Sequence, residues 1–224
     1  MTPLAWLGHL TEGDLAAQPM LALQQFARPL AWGLVLACLL VALARWLAGR
    51  RGGRLRPQAV LLLLALALAA AFLPGGLSPA FWLGLAFQQP SLVASGLCAW
   101  YLLRSVRPAV QAEEVGPWRA AAALAVLAGW ALLLDTFALL PWSLYAWGWQ
   151  PVAVLLMVLL ALLPWLLGQA RRAPVLTYGL PLVLLTYAAL RLPTGNVWDA
   201  LLDPWLWLAA HLALLPRRAW GRRR

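Results

Sequence analysis

Lysine is absent from this chain of 224 residues, so all 17 strongly basic residues are arginine. We find no physical requirement for that bias and read it as coding composition. Acidic residues are also scarce, seven in all, which leaves a formal net charge of +10. Cysteine and histidine occur twice each. Cys38 and Cys98 lie inside apolar stretches, where a free thiol behaves as a small hydrophobe. Two such residues build neither a disulfide framework nor a zinc site. The sequence has no GxSxG, HExxH, P-loop or CxxCH motif and no rhomboid-like Ser/His set, which removes the usual hydrolase, zinc-protease, nucleotide and haem-attachment signatures. Glu113-Glu114 stands one residue too far from Arg119 for the EExxxR pattern of CAAX-type membrane proteases. Gly116-Pro117 interrupts that stretch, and the histidines of that family are missing. The sequence therefore calls for no cofactor and no metal.

Apolar residues dominate instead: 64% of the chain, with a mean hydropathy of +0.79. At about 20 residues per crossing, this length holds six to eight membrane spans with short loops and no room for a soluble domain. Seven apolar runs are read as spans, at about 29–47, 58–73, 80–103, 120–140, 151–167, 175–192 and 204–215. Fifteen of the arginines lie in or beside alternate gaps between these runs, leaving Arg28 and Arg191 on the other side. Loops that stay in the cytoplasm collect arginine because translocating it is unfavourable. The expected fold class is therefore all-α: a polytopic transmembrane bundle of about seven spans, N-terminus out and C-terminus in, of the bacterial inner-membrane type. Residues 1–28 form an external, partly interfacial segment, 29–216 the membrane domain and 217–224 a basic cytoplasmic tail. The lipid bilayer is the expected partner, along with other membrane subunits. Nucleic acid is not, because the arginines are spread over several short gaps rather than forming one patch.

Local signals refine the spans. Pro90 lies within the third run and predicts a kink, because proline removes a helical hydrogen bond. The seventh run is short, since twelve residues of helix cover about 18 Å of a roughly 30 Å hydrocarbon core. Asp203-Pro204 reads as a helix cap and first turn, and Asn196 as the cap of a short helix over 197–202 just before it.

Polar residues inside such runs are the candidate sites, because an ionisable group in hydrocarbon costs at least about 2.5 kcal/mol. Asp135 shares a helical face with Ala121, Leu124, Ala128 and Ala131, so it is expected to point into the bundle and pair with Arg191 or with the Gln88 and Gln89 amides. A proton or cation site and a structural hydrogen bond both fit it. Arg191 either pairs with Asp135 or snorkels to headgroups. Asp199 and Asp203, spaced as neighbours on one helical turn, are a candidate divalent-cation pair, although helix starts attract carboxylates anyway. His211 is a candidate haem ligand without a second histidine at its depth. All of these except His211 project to the outer half of the spans, which suggests an outward-facing polar vestibule. Three function classes follow: a non-catalytic subunit or accessory protein of an envelope assembly, a small transporter or channel using the site around Asp135, and an intramembrane enzyme. The missing chemical motifs and the large apolar surface favour the first.

Overall fold

The computed structural model describes residues 18–50, 55–107 and 115–215, and these contain ten α-helices and no strand. Expectations for the N-terminal segment, the arginines at 51 and 54, Glu113-Glu114 and the basic tail lie outside the described residues. The helices are α1 (Leu21–Arg50), α2 (Pro57–Ala71), α3 (Pro79–Phe87), α4 (Leu92–Val106), α5 (Val115–Thr136), α6 (Leu144–Trp147), α7 (Pro151–Leu166), α8 (Pro174–Leu190), α9 (Val197–Leu201) and α10 (Pro204–Leu214). Proline opens α2, α3, α7, α8 and α10. Its fixed φ suits the first helical turn, and its missing N–H would be unpaired there in any case. Ser78, Ser91, Ser143, Asn196 and Asp203 each accept a backbone N–H at the start of the following helix. Asn196 and Asp203 thus cap α9 and α10 as their sequence positions predict.

Two helices, α1 with 30 residues and α5 with 22, are long and apolar enough to cross a membrane. Five further apolar helices, α2, α4, α7, α8 and α10, have 10–17 residues. Pro29, expected at the start of the first span, lies inside α1, which begins at Leu21. The third run departs further from expectation. A kinked helix over 80–103 was predicted, but the helix stops at Phe87 and restarts at Leu92. Two effects of Pro90 explain the break. Its ring collides with the preceding turn, and it drives Gln89 away from helical geometry. Gln88 leaves helical geometry with φ 61° and ψ −136°.

Small residues let the helices approach closely. Helix α1 packs against α2, α3 and α4, with Ala37, Val41, Val60, Ala67 and Leu102 in the shared core. At the α1/α2 contact, a Cβ on Gly33 would lie 2.7 Å from Leu68 Cδ2, so glycine sets the separation. A second core joins Ala161 of α7, Leu184 and Tyr187 of α8, and Val197 and Ala200 of α9. Helix α5 buries no residue completely and packs on α10. There the Trp207 indole occupies the space beside Gly129, where a Cβ would stand 2.2 Å from the ring, and its Nε1 donates to Val126 O at 3.2 Å. The packing face of α5 is therefore that of Val126 and Gly129. On the face expected from the alanine spacing, Ala121, Ala128, Ala131 and Asp135 are half-buried while Leu124 is exposed.

Candidate functional site

Polar side chains gather where three connections meet: the break between α3 and α4, the segment 137–150 around α6, and the segment 191–203 around α9. Asp135 sits on the last turn of α5, and its Oδ2 accepts from Tyr145 N at 2.7 Å and Ser143 Oγ at 3.4 Å. It therefore holds the first turn of α6, where amides without helical partners favour a negative charge. The expected pairing with Arg191 or with the glutamine amides does not form. Arg191 instead ends α8 in a left-handed conformation, φ 56°, with its guanidinium 5.7 Å from the centre of the Tyr187 ring.

Tyr145 joins α6 to the next segment. Its hydroxyl donates to Asp199 Oδ2 at 2.8 Å and its carbonyl accepts from Asn196 Nδ2 at 2.9 Å. Burial, and after it the Asp199 carboxylate, push the phenol pKa above its usual range, so the hydroxyl stays a donor. Thr194 Oγ1 donates to the same Asp199 oxygen at 2.5 Å and accepts from Asn196 N at 3.2 Å. Asn196 is fully buried, and its Oδ1 accepts from Trp198 N at 3.0 Å. Val197 N donates to Gly148 O, and Trp198 Nε1 to Leu144 O, both at 3.0 Å. The hydroxyl of buried Tyr187 donates to Gly195 O from below. These bonds sew segment 143–148 to segment 194–199.

Asp203 ties in the third connection. Its Oδ1 accepts from Leu206 N and its Oδ2 from Ser91 N, each at 2.8 Å. One carboxylate thus receives amides from the starts of both α10 and α4. Trp32 Nε1 donates to Gln88 O at 2.8 Å, which fastens the break to α1. Gln89 Nε2 and Ser95 Oγ are buried near it without a hydrogen-bond partner.

Asp199 and Asp203, expected to be neighbours on one helical turn, are not. Helix α9 ends at Leu201, Leu202 is extended, and each carboxylate takes different partners. Among the described residues no three His, Cys, Asp or Glu side chains gather as metal ligands. His211 lies elsewhere, on α10, with Nδ1 2.8 Å from Trp207 O and its ring edge-on to Trp207. No family model, curated protein or solved structure matches this chain. What the polar cluster does must be read from its own chemistry.

That chemistry is mutual satisfaction. The three carboxylates accept from backbone amides and hydroxyls of their own chain, which fixes loop geometry. Sequence reasoning singled out these acids but missed Tyr145, Thr194 and Ser143, and gave Ser91 no capping role. The two serines carry a readable signal, since each stands just before a helical run. Tyr145 carries none, because its contribution comes largely through its backbone. One prediction follows for Asp135. Asp135→Asn keeps a carbonyl oxygen for Tyr145 N and is expected to lower stability by less than about 1 kcal/mol. Asp135→Leu loses the acceptor and is expected to cost about 2 kcal/mol. Thermal unfolding of the two variants in one detergent checks the order.

Proposed function

We propose that the chain crosses a bacterial-type inner membrane seven times, N-terminus out and C-terminus in, and serves as a non-catalytic subunit or accessory protein of an envelope assembly. In this reading α1, α2, α3 with α4, α5, α7, α8 and α10 make the crossings. The polar cluster then lies at the outer side. The arginine asymmetry supports the orientation, and the many leucines exposed along α2, α5 and α7 support a lipid surround. The observation that carries the functional reading is the use of Asp135, Asp199 and Asp203 as acceptors for the chain's own amides and hydroxyls. Groups so engaged hold loops in place, which leaves apolar helix faces as the surface offered to other membrane helices. Extraction into lipid nanodiscs followed by native mass spectrometry tests this. A stoichiometric second membrane protein, retained across independent preparations, is the expected result. A chain found only alone or with copies of itself contradicts it.

The second reading, a small transporter or channel, has one observation in its favour. Broken helices with polar side chains at the break are a recurring way to build a midplane binding site, and the α3/α4 break carries buried Gln89 Nε2 without a partner. Proteoliposomes holding the purified chain and a pH- or potassium-sensitive dye separate the readings. Dissipation of an imposed cation gradient, abolished by Gln89→Leu, supports transport, whereas gradients as stable as in empty vesicles support the subunit.

A further inference from the structure

Cys38 and Cys98 are the only cysteines of the chain, and the fold brings them together. Cys38 lies on α1 and Cys98 on α4, two helices that pack directly against each other. The register of the two helices places them opposite each other. Arg45 Nη2 donates to Ser105 O at 3.4 Å, and its guanidinium lies 5.4 Å from the centre of the Tyr101 ring. Arg45 follows Cys38 by the same seven residues by which Ser105 follows Cys98. Seven residues are nearly two helical turns and return to within about 20° of the same face. Trp32 near the start of α1 donates to Gln88 O just before α4, and Arg45 farther along α1 meets Ser105 near the end of α4, so the helices run parallel here and the pairing at 45 and 105 puts 38 opposite 98. Both cysteines are partly buried.

We propose that Cys38 and Cys98 are a redox-active pair that forms a reversible disulfide tying α1 to α4, with a small membrane-permeant peroxide as the oxidant. One sulfur attacks a peroxide oxygen, and the O–O bond breaks. Its thiol proton leaves with the displaced oxygen as water or alcohol, and the sulfur becomes a sulfenic acid. The second sulfur then attacks the first, the S–S bond forms, and the S–O bond breaks. The sulfenic oxygen departs as water with the second thiol proton. Two electrons pass from the sulfur pair to the peroxide, and a thiol reductant reverses the change by exchange. The parallel register supplies a resolving sulfur opposite the oxidised one. The consequence for the fold is local. Cys98 lies two turns from Ser91, the cap of α4, so the crosslink fixes the inner side of the helix break to the same helix whose Trp32 already holds Gln88 O. The inference does not depend on which function the chain serves.

Hydrogen peroxide added to the full-length protein in nanodiscs, followed by intact mass spectrometry and alkylation after denaturation, tests it. The expected result is a monomer lighter by two hydrogens, with both thiols protected from alkylation and both recovered after reduction. Cys38→Ser is expected to abolish the loss of two hydrogens. Two alkylatable thiols after oxidation, a disulfide-linked dimer on a non-reducing gel, or the same mass loss in Cys38→Ser would each overturn the assignment. The wild-type arm decides the matter even where the serine variant fails to fold.

Discussion

Replacing Gly148 by alanine is expected to destabilise the protein by about 3 kcal/mol, the sum of overpacking and orphaned donors. An added Cβ would stand 1.9 Å from Asn196 Oδ1 and 2.5 Å from Trp198 Cδ1. The backbone itself tolerates alanine, since Gly148 has φ −61° and ψ −15°, so the effect is purely steric. Asn196 has nowhere to retreat, being fully buried. To clear the methyl group it must give up the bonds from its Nδ2 to Tyr145 O and from Trp198 N to its Oδ1. The bond from Val197 N to Gly148 O is strained with them. The unfolding temperature of the purified chain in detergent checks this, with a fall of roughly 10 °C expected for a chain of this size. A variant melting with the parent would show that segments 143–148 and 194–199 are not packed as described.

Asp203→Ala is expected to be equally damaging, by about 3 kcal/mol, because two charge-assisted hydrogen bonds end on one carboxylate. Its removal uncaps α10 at Leu206 N and releases Ser91 N. Ser91 is itself fully buried, so its N–H has no water to turn to. Asp203→Asn offers one carbonyl oxygen in place of two acceptor atoms, and about half the loss is expected. Hydrogen exchange gives the specific signature. The amides of Ser91 and Leu206 lose protection together in Asp203→Ala, although they are 115 positions apart. Loss at Leu206 alone would mean that Asp203 caps α10 without holding the α3/α4 break.

Much of the helix pattern was legible in the sequence for simple reasons. Helices α2, α7, α8 and α10 begin within a residue of their expected starts, because proline marks the first turn and an apolar run follows. The caps at Asn196 and Asp203 were legible too, since an acceptor side chain before a helical run has one obvious use. The site was legible only as a set of acids. Asp135 finds its partner in the backbone N–H of Tyr145, a group every residue but proline possesses, so no side-chain pattern points to it. The contact of α5 with α10 was not legible from alanine spacing, because one large ring, Trp207 against Gly129, makes it. The break at Gln88 exceeded the expected kink because Pro90 acts on both the turn before it and the residue before it. The meeting of Cys38 and Cys98 depends on which helices are neighbours, and apolar periodicity does not encode that order.

The central claim is the seven-fold crossing with the C-terminus inside, and paired topology reporters test it most directly. Fusions after Ser143 and after Arg224, each made once with a periplasm-dependent enzyme and once with a cytoplasm-dependent fluorophore, read both sides of the bilayer. The account predicts enzyme activity only at Ser143 and fluorescence only at Arg224. Enzyme activity at Arg224 would contradict it.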